Sequence, residues 1–386
     1  MKLSFWILLL VGFATSLTFA QTEKPVVLVD KKARFDIYVA PITGPNGEKA
    51  THVLENDLKM SGSFNMTAPA AAAFTANAQL TESGLSGSVT PKNQGSLFNK
   101  NFEGDWRRAT HLYADAIIEA ITGTQGFASS KITFVSAHTG SKEVYVSDMD
   151  GGNGRQLTND KTISLGPKWS PNAKQIAYTS YRSNFPDVWV IDLVSSKRKR
   201  VAYFPGLNGQ PCFSPDGEKI ALTLSKDGNT ELYVMNADGT SPMRLTNTRG
   251  TEASPTWSPD GKQIAYVSDN RGSAQIFTIP SNGGAPNRIK TNSSYATEPD
   301  WSPDGKKLAY SIMVGGQLQI AITDLATSEQ IILTDTSHNE SPTWTRNSRH
   351  LVYTRNGHFY LLDSLTKQSL QINNGLTRNS EPNCSK

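Results

Sequence analysis

Pro255-Thr-Trp-Ser-Pro-Asp-Gly-Lys-Gln-Ile-Ala-Tyr266 is one of five versions of the same phrase in this chain. The others are Pro167-Lys-Trp-Ser-Pro-Asn-Ala-Lys-Gln-Ile-Ala-Tyr178, Pro211-Cys-Phe-Ser-Pro-Asp-Gly-Glu-Lys-Ile-Ala-Leu222, Pro299-Asp-Trp-Ser-Pro-Asp-Gly-Lys-Lys-Leu-Ala-Tyr310 and Pro342-Thr-Trp-Thr-Arg-Asn-Ser-Arg-His-Leu-Val-Tyr353. Their aromatic anchors, Trp169, Phe213, Trp257, Trp301 and Trp344, are spaced 44, 44, 44 and 43 residues apart. A fixed period of this length is the mark of a repeat architecture.

Each repeat has the same internal order. A short segment ends in the aromatic. Ser-Pro-Asp-Gly then turns the chain: Pro fixes φ, Asp bonds nearby backbone, and Gly takes positive φ. A strand follows (Gln263 to Val267), then a second (Gln275 to Ile279). A further turn, Asn282-Gly-Gly, leads to a last strand, Asn287 to Lys290. Four short strands per repeat with Gly-rich turns predict the blade of a β-propeller.

The ends of the array give the blade count. Lys131-Ile-Thr-Phe-Val135 matches Gln263-Ile-Ala-Tyr-Val267, so the first repeat begins at its second strand. Ser380-Glu-Pro-Asn-Cys-Ser385 matches Thr297-Glu-Pro-Asp-Trp-Ser302, and its Cys384 takes the aromatic slot. The last segment is therefore the missing first strand of the first blade. The predicted domain, residues 131–386, is a six-bladed propeller whose first blade is closed by residues 380–386. Such closure leaves only short protected edges. Lys197-Arg-Lys-Arg200 falls in an outermost strand, where it reads as a charged edge or as a surface for an anionic partner.

Residues 1–20 read as a secretory signal peptide: Met1-Lys2, an apolar run from Leu3 to Phe13, and small residues around Thr18-Phe19-Ala20. The apolar run is shorter than the roughly 20 residues a bilayer needs. No later segment is apolar enough to span. The expected mature chain starts at Gln21 and is exported to the periplasm.

Residues 21–130 lack the repeat and read as a small α/β domain. Pro25 to Asp30 and Phe35 to Ala40 are expected strands, and His52 to Met60 a short helix stopped by Gly62. Ala68 to Ala78 is alanine-rich, and Ser83 to Asn99 is Gly- and Ser-rich with a short hairpin. Asp105 caps a helix from Trp106 to Thr122, which Gly123 ends. The expected fold is thus mainly β, a six-bladed propeller preceded by a small α/β domain.

The chain has 386 residues, 37% hydrophobic and 19% charged, with a net charge of +4. This excludes a disordered chain and a nucleic-acid-binding surface. Two cysteines, Cys212 and Cys384, exclude a disulfide framework and a four-cysteine zinc site. Blades two apart should hold them beyond disulfide reach, as buried thiols. No Gly-x-Ser-x-Gly, phosphate loop, dinucleotide glycine pattern or His-Glu-x-x-His occurs. Asp148-Met-Asp150-Gly-Gly-Asn153-Gly lacks the acid that closes a calcium loop. The six histidines are scattered. No catalytic residue, cofactor or metal is assigned.

The loops into the innermost strands ring one mouth of the channel. Candidate partner-binding residues there are Arg182, Glu252, Thr297, Glu298, His338, Glu340 and Glu381. Four glutamates around one opening suit a protein partner bearing positive or amide groups. A carbohydrate- or peptidoglycan-binding propeller, with Tyr181 and Tyr295 on the rim, and a propeller hydrolase or lyase using channel carboxylates remain open on the residues alone.

The chain resembles the TolB family of periplasmic Tol–Pal proteins. The resemblance rests on the turn repeat and on the N-terminal module. There, Val26-Val-Leu-Val-Asp30 with Ile37-Tyr-Val-Ala-Pro41 looks like the opening strands, and Asp57-Leu-Lys-Met-Ser-Gly-Ser-Phe64 like a "DL..SG.F" element. Ala114-Asp-Ala-Ile-Ile-Glu-Ala-Ile-Thr-Gly123, followed by Lys131-Ile-Thr-Phe-Val135, looks like the helix-to-propeller junction. The stretch Ala68 to Asn99 departs from the family as shorter and poorer in strands. The resemblance implies a monomeric, non-enzymatic adaptor serving outer-membrane integrity and cell division. It implies a Pal-like lipoprotein at the channel mouth, and a TolA-like inner-membrane protein at the N-terminal tail, Gln21, Val26, Val27, Leu28, Val29 and Asp30. No nucleic acid and no membrane span of the mature chain are implied.

Overall fold

A computed structural model describes residues 34–386. The expected signal peptide, the expected strand Pro25 to Asp30 and the tail residues Gln21 and Val26 to Asp30 lie outside the described residues. Six four-stranded antiparallel sheets stand as blades. In the second to sixth blades the chain runs from the innermost strand outward, beginning with Ser164–Trp169, Asn208–Phe213, Glu252–Trp257, Ala296–Trp301 and Asn339–Trp344. The first blade takes its innermost strand from the carboxy-terminal segment. Asn379–Cys384 pairs antiparallel with Lys131–Ser136, setting Asn379 opposite Ser136 and Cys384 opposite Ile132.

The repeated residues explain the geometry. In the turns, Asp216, Asp260 and Asp304 each accept from the Ser hydroxyl two residues before and from the backbone N–H two residues after. Gly217, Gly261 and Gly305 have φ between 71° and 76°, the left-handed region. Where Gly is replaced, Ala173 and Ser348 still adopt φ of 53° and 56°, so the turn survives with local strain. The indoles staple neighbouring blades. Trp169, Trp257 and Trp344 donate from Nε1 to the carbonyls of Asn383, Cys212 and Asp300 at 3.0, 3.0 and 3.2 Å. Each acceptor precedes the aromatic-slot residue of the blade before. Both thiols are free; Cys384 is buried, whereas Cys212, expected buried, is half-buried at the turn-side end of the channel.

Ahead of the propeller lies a five-stranded sheet of order β2-β1-β3-β4-β5: β1 Phe35–Val39, β2 Phe64–Met66, β3 Phe74–Thr81, β4 Gly84–Pro91 and β5 Phe98–Glu103. Two helices, α1 Gly47–Met60 and α2 Trp106–Thr122, cover it. Helix α2 keeps its expected bounds. Asp105 accepts from the N–H groups of Arg107 and Arg108, and Gly123 ends the helix at φ 67°. Helix α1 starts five residues before the expected His52. Its first turn is polar, and its N-cap, Asn46, adopts φ 65° without a side-chain cap. The stretch Ala68 to Asn99 is richer in strand than expected: it holds the eight-residue β3 and β4. Gly87 in β4 leaves room for Tyr113, whose hydroxyl sits between the Ser88 and Asn77 carbonyls at 2.6 and 3.0 Å and shares its one proton between them.

The described residues form one compact unit, and buried charges join the module to the propeller. Asp148, near the first-blade turn, accepts from Arg107 Nε at 2.7 Å and Lys131 Nζ at 2.6 Å. Arg107 also clasps Asp150. His111 Nδ1 lies 2.6 Å from Asp57 and its Nε2 3.7 Å from Asp148. His111, Asp148 and Asp150 bring ligand-type atoms within 4.8 Å of one another, but Arg107 occupies the space between the two carboxylates. Arg346 makes a second clasp, to Asp115 and the Gly126 carbonyl.

Burial works against charge on His111, but Asp57 and Asp148 outweigh it and raise its pKa to about 10. Burial likewise raises Asp57 to about 6, against the pull of His111. A histidine whose folded pKa is raised adds stability that is whole below its unfolded pKa of roughly 6.5 and lost as pH rises through the folded value. The urea midpoint is therefore expected to fall between pH 7 and pH 10 in the parent protein. It should fall less in His111→Gln. Parallel pH profiles for the two proteins would show that His111 is already neutral.

Candidate functional site

The innermost strands share a feature that sets the mouth of the channel. Gly166, Gln210, Ser254, Glu298, Ser341 and Glu381 occupy equivalent positions and have φ of 56°, 53°, 50°, 57°, 54° and 52°. Each lies at a break in strand register, and each precedes a proline. These are β-bulges, which re-aim side chains at sheet edges and near sites. Five of the six are not glycine, so the backbone is strained around the opening. The six prolines and their bulge residues line a cavity of about 390 Å³ that opens on the mouth.

Long and short bulge residues alternate around the ring: Glu381, Gly166, Gln210, Ser254, Glu298, Ser341 in blade order. Each long one reaches the next blade. Glu381 accepts from the Gly166 N–H. Gln210 accepts from the Ser254 N–H at 2.8 Å. Glu298 accepts from the Ser341 N–H at 2.8 Å and its hydroxyl at 2.7 Å, and also from the Ser311 hydroxyl. The 44-residue spacing located this ring in the sequence. The missed signal was the residue before each repeat's first proline.

The expected partner-binding residues separate into two sets. Arg182 is exposed on a loop of the second blade, its guanidinium 4.8 Å from the Trp189 ring centre. His338 is exposed, with Nε2 3.5 Å from the half-buried Glu340. Thr297 is half-buried beside Glu298. Glu298 and Glu381 face the cavity but hold neighbouring blades. Glu252, expected on the open rim, is fully buried and accepts from Thr248 and Ser268. A residue entering a strand ahead of the bulge turns between sheets, and this hides Glu252.

Burial also mutes the rim charge. It pushes the Glu252 carboxyl up to about 7, with Glu231 adding to the rise. Burial raises Glu381 as well, and Glu340, where Glu298 contributes. The opening is thus less anionic than four glutamates suggest. What it offers is a rigid ring of prolines and bulged backbone, with His338, Glu340 and Arg182 at its border.

The family description "PD40: TolB beta propeller domain" matches residues 118–382. A Tol-Pal system protein TolB of Geobacter metallireducens is 35% identical over 188 residues, 41% of this chain and 43% of that protein. One from Rickettsia peacockii is 33% identical over 168 residues, 35% of this chain and 38% of that protein. The chain thus spans about two fifths of the length of these curated relatives. A crystal structure of TolB from Acinetobacter baumannii covers 91% of this chain and 96% of its own, with TM-score 0.83 and 28% identity. With more than half its length matched by the family description, the chain belongs to the TolB β-propeller family.

Proposed function

We propose that this protein is a non-enzymatic adaptor of the Tol–Pal system, exported to the periplasm by residues 1–20. In this reading the channel mouth binds a Pal-like lipoprotein. The segment of Gln21 and Val26 to Asp30 engages a TolA-like inner-membrane protein. The system then supports outer-membrane integrity and cell division. One observation carries the reading: a preorganised mouth whose bulge side chains are committed to neighbouring blades. Such a surface suits docking, because little order is lost when a partner seats on it. It also argues against a hydrolase or lyase, since Glu298 and Glu381 already accept hydrogen bonds from neighbouring blades.

The border residues should carry most of the measurable binding, because they are the more exposed charges at the opening. Immobilised mature protein is expected to capture Pal-like lipoprotein from an envelope extract. Arg182→Glu with Glu340→Lys should weaken the purified interaction about tenfold or more. Retained affinity in that double variant, with an unchanged thermal melt, would remove the rim assignment.

A further inference from the structure

The outermost strands of the six blades differ in length. Five of them span two, two, two, three and four residues. The second blade's, Arg198–Ala202, spans five and pairs with Asp187–Asp192; Arg198 to Arg200 are accessible along its other side, whereas Val201 and Ala202 are buried. From this edge and its side chains we infer that the second blade takes an acidic, extended segment of another protein as an added strand. Main-chain pairing would give affinity and alternate side chains specificity.

The charges on this edge are unevenly used. Arg198 is held by Asp160 at 2.7 Å and Arg200 by Asp187 at 3.2 Å. Lys197 and Lys199, two residues apart and both exposed, have no carboxylate partner among the described residues. Lys199 reaches only the Asp238 carbonyl, at 2.9 Å. Two unpaired lysines at strand spacing complement two carboxylates at the same spacing on an incoming strand. The same charge rejects a second copy of this edge, since like charges would then face one another.

Apolar anchors flank the charges. Among the described residues the three most exposed large apolar side chains are Val194 at 81%, Phe185 at 69% and Tyr203 at 62%. All three belong to the second blade. Phe185 and Tyr203 lie at one end of the edge: Phe185 leads into the strand whose Val188 pairs with Ala202. Arg200 covers one face of Tyr203, its guanidinium 4.4 Å from the ring centre. Val194 is in the hairpin at the other end. Exposed aromatic and arginine side chains are the usual anchors of protein interfaces. A lipid surface fits less well. It offers no partners for the row of edge N–H and C=O groups, and here the apolar residues are split between two ends rather than gathered on one face.

The test uses the mature protein and a fluorescein-labelled Glu-Thr-Glu-Thr-Glu-Phe peptide, with Lys in place of Glu as control. Anisotropy should show the acidic peptide binding at least about tenfold tighter than the control, an advantage lost in Lys197→Glu with Lys199→Glu. Amide exchange in the complex should slow within 198–200, the accessible part of the edge. Equal binding of both peptides, unchanged binding by the double variant, or protection elsewhere overturns the inference. So does binding to phosphatidylglycerol vesicles that the double variant abolishes, if the peptide gives no protection at this edge.

Discussion

A chain ending at Arg378 is expected to lose its cooperative thermal transition and its near-ultraviolet signal while keeping β-rich far-ultraviolet absorption. The removed residues are the core strand of the first blade, with Asn379, Asn383, Cys384 and Ser385 all buried. Without them Lys131–Ser136 presents an open edge beside the channel. Trp169 loses both of its Asn383 partners, each at 3.0 Å. Gly166 loses Glu381, and Asp300 loses Lys386 at 3.3 Å. Domains of this kind are stable by only about 5–15 kcal/mol, less than the summed loss of a buried strand and three interblade contacts. The remnant should bind a hydrophobic dye, the behaviour of a compact state without fixed packing. A synthetic peptide spanning residues 377–386 should restore the sharp melt. A truncated chain melting within about 2 °C of the parent would refute closure by this segment.

The second large effect is expected at Asp148. Its side chain is 7% exposed and faces three cationic groups, on Arg107, Lys131 and His111. Burial would raise its pKa, but the nearby His111 and hydrogen bonds from Lys131 and Arg107 hold it well below the usual carboxylate range. Removing one partner of a buried ion pair leaves the others uncompensated and costs about 3–5 kcal/mol. Asp148→Ala should therefore lower the unfolding free energy read from urea titration by that amount. Arg107→Met combined with Asp148→Met should recover only part of the loss, because it removes one buried pair together but leaves Lys131 and Asp150 without their partners. A shift under about 1 kcal/mol for Asp148→Ala would mean that the cluster is hydrated and contributes little.

These features differ in how openly the sequence displays them. Blade number was legible because the turn phrase recurs at a fixed period and the two ends of the array complement each other. Helix α2 was legible because Asp105 and Gly123 mark its ends by side-chain and backbone chemistry. Helix α1 hid its start: Gly47-Glu-Lys carries no apolar stripe, and Asn46 acts through its backbone. β3 was hidden by small residues, since Ala76 and Ala78 alternate without the volume that usually shows a strand. The rim was half legible. Spacing placed Glu252, Glu298 and Glu381 near one opening, but a bulge decides which way each side chain points. Burial of Glu252 follows from packing between sheets, which no local pattern records. Charge balance in the Asp57, His111, Asp148 and Arg107 cluster was equally invisible, as its members come from two helices and a turn far apart along the chain.

The alternation of long and short residues around the mouth has a mechanical consequence. Glu381, Gln210 and Glu298 tie the blades into three couples, first with second, third with fourth, fifth with sixth. In its bulge side chains the mouth is therefore a trimer of couples, and main-chain donors join one couple to the next: the Gln210 N–H reaches the Thr179 hydroxyl at 2.9 Å and the Cys384 N–H the Thr343 hydroxyl at 3.3 Å. A visitor at the aperture would thus meet side-chain ties within each couple and main-chain ties between couples, a rim braced in two alternating ways.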